Sequence, residues 1–402
     1  MPPPVDSSPP PGPPAPPLPV LPGPRAPAGP AAPYMRFTRA QWATLRANTP
    51  LLLGEDELQR LRGVNEPMPV EEVAEVYLPL SRLINLYVTA ARELLQVTDR
   101  FLGRPSLTPP FVVAIAGSVA AGKSTSARVL RALLARWPTH PHVELVTTDG
   151  FLHPNAVLEA RGLMGRKGFP ESYDVARLLR FLGDLKAGRP EVAAPVYSHL
   201  HYDVLPGERQ LLRRPDVVIL EGINVLQAPG PDGARAPLPT LGDAAPTAPD
   251  GDGEGRDGEG RDGEGRDGEG RDPAGRPRLM VSDFIDFSIY VDADEQSLRR
   301  WYVERFLSLR DTAFRDPASY FHRYAALSHA EAVETAERIW AEINWVNLKR
   351  NIEGTRDRAS VVLWKGPRHA VEEVRLRRAA PTPVIPPQPR AIRPAQQADG
   401  AG

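Results

Sequence analysis

Short runs of apolar, often β-branched residues recur along the chain, separated by longer stretches whose apolar residues follow a helical period. Phe111–Ala116, Val143–Thr148, Val217–Leu220 and Phe287–Val291 are nearly unbroken in apolar character, the pattern of strands buried on both faces. Ser124–Trp137, Val175–Lys186, Glu295–Arg310 and His329–Lys349 read as helices. Alternating strands and helices of this kind predict an α/β fold, a mostly parallel sheet flanked by helices. Ala359–Trp364 is a candidate for one more strand. Upstream, Val70–Leu102 predicts a long helical hairpin or one bent helix, with Pro79 near a break or kink.

Composition confines that pattern to part of the chain. Of 402 residues, 47 are proline and 33 glycine, unevenly placed. Residues 1–33 hold 16 prolines, 228–277 are almost all Gly, Pro, Asp, Glu, Arg and Ala, and 379–402 return to Pro, Ala and Gln. Such segments bury too little apolar surface to offset the entropy of ordering. The expectation is one domain over 34–378, interrupted by a flexible insertion at 228–277 and flanked by two disordered tails. Asp-Gly-Glu-Gly-Arg repeats four times from Asp252 to Arg271, but without apolar positions it cannot stack as a solenoid. Its alternative is a charged docking arm, and the proline-rich start could serve a proline-binding module. Loop closure becomes costlier only slowly with length. Deleting 253–274 should therefore leave the fold intact, with an unchanged thermal melt as the check.

Charge and cysteine content narrow the function. The balance of 49 basic against 50 acidic residues leaves a net charge of −1, with no global field to gather nucleic acid or anionic lipid. With no cysteine there is no disulfide framework, thiolate zinc site or cysteine nucleophile. The start lacks a basic segment followed by an apolar one, so a cytoplasmic protein is expected. Phe111–Ala116, the longest strongly apolar run, is too short to span a bilayer.

The sharpest signal follows the first apolar strand. Gly117-Ser118-Val119-Ala120-Ala121-Gly122-Lys123-Ser124 has two glycines, four intervening residues, then Lys and Ser, the pattern of a phosphate-binding loop. The glycines let the backbone curl its N–H groups into one concavity. The helix that follows adds the positive end of its dipole. Lys123 supplies a charge for the β and γ phosphates, and Ser124 a hard oxygen for Mg²⁺. The plain alternative is a Gly-rich strand-to-helix turn with no ligand, and the strand and helix flanking the motif in the required order weigh against it. A guanine nucleotide switch would also carry an Asn-Lys-x-Asp reader, which is absent. Phosphoryl transfer to a small acceptor remains.

That reaction needs a group to orient or deprotonate the acceptor hydroxyl. Asp149 ends the second strand and Glu221 the third, and ligands of open parallel sheets sit at those ends. Asp149 is the candidate base and Glu221 a candidate for Mg²⁺ or its water shell. The alternatives are a turn aspartate before Gly150 and a capping or turn acid. Downstream, aromatic and polar residues interleave in Pro195–Asp203, Trp301–Phe306 and Ser319–Tyr324. Tyr302 and Phe306 share a helical face with Arg305 beside them, and Tyr320 and Tyr324 repeat the spacing. Such stripes usually pack a core, yet Tyr and Arg carry polar tips suited to a small polar ligand. Arg305 could also steady charge on the moving phosphoryl group.

These stretches carry a resemblance. Ala116–Thr125, Thr147–Asn155, Lys167–Asp174, Ala194–His199, Val281–Asp292 and Glu342–Leu348 are similar to runs of the prokaryotic, type I pantothenate kinases, a family with the P-loop kinase fold. The resemblance covers Tyr34–Arg378 apart from the insertion. It implies ATP- and Mg²⁺-dependent phosphorylation of pantothenate, the first step of coenzyme A synthesis. It also implies a homodimer, and feedback inhibition by coenzyme A in competition with ATP.

Carried over by position, Gly117 to Thr125 hold the nucleotide, with Lys123 and Ser124 on phosphates and metal and Asp149 as base. Tyr197, His199, Tyr202, Tyr302, Arg305, Phe306, Tyr320, Tyr324 and Asn344 line or polarise the pantothenate pocket. Asn65 and His369 fall on the adenine side, and Lys123, Arg128 and His199 on the inhibitor. Leu309 stands where the family often has a pocket Phe. A uridine kinase or phosphoribulokinase-like enzyme and a non-catalytic nucleotide switch are the alternatives to this reading.

Overall fold

A computed structural model of the chain describes residues 34–63, 68–103, 108–227 and 279–378. The two proline-rich ends, the 228–277 insertion and Asn65 lie outside the described residues. The strands are β1 (Tyr34–Thr38), β2 (Phe111–Gly117), β3 (Val143–Thr147), β4 (Glu191–Ser198), β5 (Asp203–Arg213), β6 (Val217–Glu221), β7 (Phe287–Ala293), β8 (Val361–Lys365) and β9 (Val371–Arg377). Seven form one sheet in the order β1-β9-β8-β7-β2-β6-β3. The five strands from β8 to β3 run parallel, while β9 and β1 add an antiparallel edge. All residues of β2, β6 and β7 are buried, which explains their largely apolar sequence, broken only by Glu221, Ser288 and Asp292. The helix Lys123–Leu134 buries Val129, Leu130, Leu133 and Leu134 in the same core as these strands.

Connectivity makes a crevice above β2. From β2 the chain goes to the far edge strand β3, then after β6 crosses to β7 on the other side. Ligands gather at the carboxyl ends of strands where the order switches in this way.

Three features depart from the sequence pattern. Of the two forms expected for Val70–Leu102, the structure has the single helix, over Val70–Phe101, with its irregular turn just before Pro79 as expected; the departure is that this turn is a π turn. Val70–Glu72 passes through a π turn, Val73–Tyr77, into Leu78–Phe101, and the Leu78 N–H bonds to the Val73 carbonyl. The wide turn falls directly before Pro79, which lacks an N–H and crowds the preceding turn. His329–Lys349 is likewise interrupted: an α segment to Ile339 gives way to π turns at Trp340–Asn344 and Leu348–Ile352. Finally, β4 and β5 pair as a separate antiparallel ribbon. Most of β5 is exposed or half-buried, so it carries no apolar run to reveal it. No helix among the described residues is long and apolar enough to cross a membrane.

Candidate active site

The loop after β2 has the curled backbone that its glycines suggest. Gly117 has φ +139°, and a Cβ there would lie 2.3 Å from the Val291 carbonyl oxygen of β7. Gly122 (φ +93°) and, less usually, Ala120 (φ +62°) are also left-handed. Strain of this kind in a non-glycine residue persists only where its surroundings impose it. Lys123 folds back across the loop, its Nζ donating to the Ser118 carbonyl (2.8 Å). Ser118, Ala120 and Ala121 are buried with Lys123, Val119 packs against the core, and buried Thr125 accepts from Arg128 Nη2 (3.1 Å). Arg128 Nε also donates to the Leu61 carbonyl (2.8 Å), tying the loop's helix to the segment that leads toward Asn65.

Two carboxylates stand at the same edge. Glu221, the last residue of β6, accepts from Ser124 Oγ (3.2 Å). Burial raises its carboxyl above the ordinary carboxylate range, Lys123 opposes that shift, and Asp149 adds to it. Asp149 lies in the short 3₁₀ turn Thr148–Phe151 directly after β3. The phenol of Tyr173 is 3.5 Å from Asp149 Oδ1, and burial holds that phenol neutral. Gly150 beside it lets the ribbon approach: a Cβ there would meet the Pro195 carbonyl oxygen of β4 at 2.2 Å. The ribbon's aromatic end therefore sits against the Asp149 turn.

The donor set fits a nucleotide and a hard cation. Left-handed residues, buried lysine and helix N-terminus together suit a polyphosphate. Ser124 and Glu221 offer oxygens, the atoms Mg²⁺ prefers. Among the described residues no cluster of three or more acidic, His or Cys side chains is placed to hold a metal alone. Phosphate and water oxygens would complete its shell.

Aromatic side chains converge around Tyr202. Tyr197 lies edge-on to His199 (5.2 Å between centroids) and 6.3 Å from Tyr202. Tyr202 in turn packs on Tyr320 (5.1 Å) and Phe321 (4.7 Å), and the Tyr320 N–H bonds to the Leu200 carbonyl (2.9 Å). Burial raises the phenols of Tyr197 and Tyr202 above their ordinary value. That of Tyr302 is pushed up to about 12, chiefly by burial, with an opposing hydrogen bond from Asn344. Asn344 lies in the first π turn of the C-terminal helix, where a widened turn often marks a functional site.

Phe306 is buried in a second hydrophobic cluster with Phe314, against which Tyr302, Leu309 and Tyr324 pack. Tyr320 and Tyr324 do not share an α-helical face: residues 322–326 form a 3₁₀ turn, and Tyr324 stacks on Phe321. Arg305 is exposed, near enough to Tyr302 to lower its pKa, and forms no ion pair among the described residues. His369, on the β8–β9 turn, stacks on Trp301 at 3.7 Å. Its ring nitrogens have no hydrogen-bond partner among the described residues, and burial lowers its pKa to about 4.

Residues 112–227, from β2 through Glu221, match the Phosphoribulokinase / Uridine kinase family. Over most of its length the chain is similar to curated proteins named pantothenate kinase. One from Parvibaculum lavamentivorans is 53% identical over 342 residues, 85% of this chain and 93% of that protein. Those from Salmonella gallinarum and Escherichia coli K12 are 51% and 52% identical over 345 residues, 86% of this chain and 96% of each relative. The chain belongs to the pantothenate kinase family. It is an enzyme, and its sheet with the phosphate loop is the P-loop kinase fold.

Within this pantothenate kinase fold, two side chains at the site had no role in the sequence reading. Lys167 and Tyr173 lie in Lys167–Asp174, a run with no helical or strand period, and only the fold brings Tyr173 to Asp149 and Lys167 to Tyr202. Lys167 is buried, and desolvation lowers its pKa to about 8 despite the opposing charges of Asp203 and Asp149.

Proposed function

We propose that the protein transfers the γ-phosphoryl group of ATP to the primary hydroxyl of pantothenate, forming 4'-phosphopantothenate and ADP. One observation carries this reading: the phosphate loop, the Ser124–Glu221 pair and Asp149 share one sheet edge, and the β4–β5 ribbon closes against the Asp149 turn. The acceptor oxygen bonds to phosphorus as the bond to the ADP oxygen breaks. The acceptor proton passes to the Asp149 carboxylate, and ADP leaves with the electron pair. Lys123 and the loop amides hold the phosphates, and Arg305 meets the charge that develops on the phosphoryl oxygens. Ser124 with Glu221 would hold Mg²⁺, which would supply neutralisation of the phosphate charge.

On the acceptor side, Tyr197, His199, Tyr202, Tyr302, Tyr320, Tyr324 and Asn344 bound the pantothenate pocket, with Phe306 as its apolar backing. Asn65 and His369 hold the adenine. Coenzyme A, which carries a pyrophosphate, competes for the same loop through Lys123, Arg128 and His199. The enzyme acts as a cytoplasmic homodimer with a single catalytic domain over 34–378. ATP turnover with pantothenate but not with uridine, suppressed by coenzyme A and restored by raising ATP, is the expected outcome. Turnover on uridine alone, or ATP binding without transfer to either acceptor, would contradict it.

Glu221 gives a separate test. Its raised folded pKa means that the fold favours the protonated acid, so ionisation weakens the fold as pH rises through that value. Glu221→Gln should therefore melt higher than the parent at pH 8 without Mg²⁺, by roughly 2–4 °C for an effect near 1 kcal/mol. That difference should vanish below the ordinary carboxylate range. Mg²⁺-dependent turnover should fall in the same variant, a trade of stability for function. A lower melt at pH 8 would count against the burial argument.

A further inference from the structure

Tyr202 is a bulky residue held at φ +53°, a conformation it does not adopt unforced. Its carbonyl accepts from two side chains, Asn155 Nδ2 (3.1 Å) and Lys167 Nζ. The same ammonium donates to Asn155 Oδ1 (2.6 Å) and lies 3.9 Å from the centroid of the Tyr202 ring. One cation thus fixes both the backbone and the face of this tyrosine. That ring is the hub of the aromatic wall, in contact with Tyr197, Tyr320 and Phe321.

Lys167 is itself held from behind. The carbonyl of the next residue, Gly168, accepts from Asn347 Nδ2 (3.0 Å) on the C-terminal helix and from Asn224 Nδ2 (3.2 Å) beyond β6. Asn351 Nδ2 bonds to Asn347 Oδ1 (2.8 Å), and Gln227 Nε2 to Asn224 Oδ1 (2.7 Å). The chain leading into the insertion and the helix bearing Asn344 therefore grip one peptide beside Lys167.

We propose that Lys167 is a positioning residue of the acceptor pocket, latching Tyr202 in its left-handed turn, and that Asn347 and Asn224 place Lys167 through the Gly168 carbonyl. This rests on the pantothenate reading above only for its effect on the acceptor; the latch itself is a property of the ligand-free fold. Its consequence is selective. Losing the latch loosens the wall that binds the acceptor and leaves the phosphate loop as it was.

The test compares the full-length parent with Lys167→Met, Asn347→Leu and Asn224→Ala by hydrogen exchange without ligands and by steady-state kinetics. In Lys167→Met, amides 199–204 should exchange faster while those of the phosphate loop keep the parent rate. The KM for pantothenate should rise about tenfold, the effect of one lost charge-assisted hydrogen bond. The KM for ATP should stay within about twofold. The asparagine variants should shift both readouts the same way but less, about threefold in KM for one neutral hydrogen bond. Asn224 is only half-buried, so its variant serves if Asn347→Leu does not fold.

Unchanged exchange at 199–204 in Lys167→Met would overturn the latch. Equal rises in both KM values with a lowered melting temperature would show a structural role alone and overturn the positioning role. A parent inert toward pantothenate would refute the functional reading instead, and the exchange rates would still decide the latch.

Discussion

Asp149→Asn should lower kcat by about 10²–10⁴-fold, the usual contribution of a positioned general base, equivalent to roughly 3–5 kcal/mol in the barrier. Asparagine keeps the shape of the side chain and can still accept from a neighbouring hydroxyl, but it cannot take the acceptor's proton. The Asp149 turn is fixed independently of that proton: Gly150 packs under the Pro195 carbonyl, and the Leu152 N–H bonds to the Asp149 carbonyl (3.1 Å). ATP affinity should therefore stay close to the parent's, because the phosphate loop is built on β2 and its own helix. Single-turnover kinetics alongside equilibrium nucleotide binding separate the two effects. Normal turnover in this variant would remove Asp149 from the chemistry.

The second large effect belongs to Lys123. Its Nζ bonds to the Ser118 carbonyl across the loop and lowers the pKa of Glu221. It thus braces the loop and compensates the buried carboxylate. Lys123→Ala should weaken ATP binding about 10–100-fold, the cost of one or two charge-assisted phosphate contacts. Coenzyme A should lose a similar factor if its pyrophosphate uses the same loop. Calorimetric titration of both ligands checks this, and weakening of one alone would separate their sites. Removing Lys123 also leaves Glu221 without its compensating charge, so the pKa of that carboxyl should rise further.

How much of this was legible in the sequence depended on whether a residue's role is local. The phosphate loop was readable because curl, cation and helix start all lie within eight consecutive residues. Asp149 and Glu221 followed from a rule about strand ends, which needs only the strands. Their spacing to one another came from the sheet order, in which β6 lies between β2 and β3. The β4–β5 ribbon was not legible because most of β5 is exposed or half-buried and β4 buries only a short alternation around Val192 and Ala194, although it carries Tyr197 and leads into Tyr202. Lys167 and Tyr173 were hidden for a related reason: their partners, Tyr202 and Asp149, are distant in sequence, and no period marks the run between them. At Tyr320 and Tyr324 the four-residue spacing misled, because the 3₁₀ turn does not keep an α-helical face. At Asn344, the resemblance assigned a pocket role but could not reveal the π turn in which the residue lies.

A crystal structure of Asp149→Asn with a non-hydrolysable ATP analogue, Mg²⁺ and pantothenate puts the central claim to its most direct test. The account predicts the pantothenate hydroxyl in line with the γ-phosphorus and within hydrogen-bonding distance of residue 149, with the acceptor's body against Tyr197 and Tyr202. An acceptor bound away from that carboxamide, with its hydroxyl out of line with the phosphorus, would contradict it.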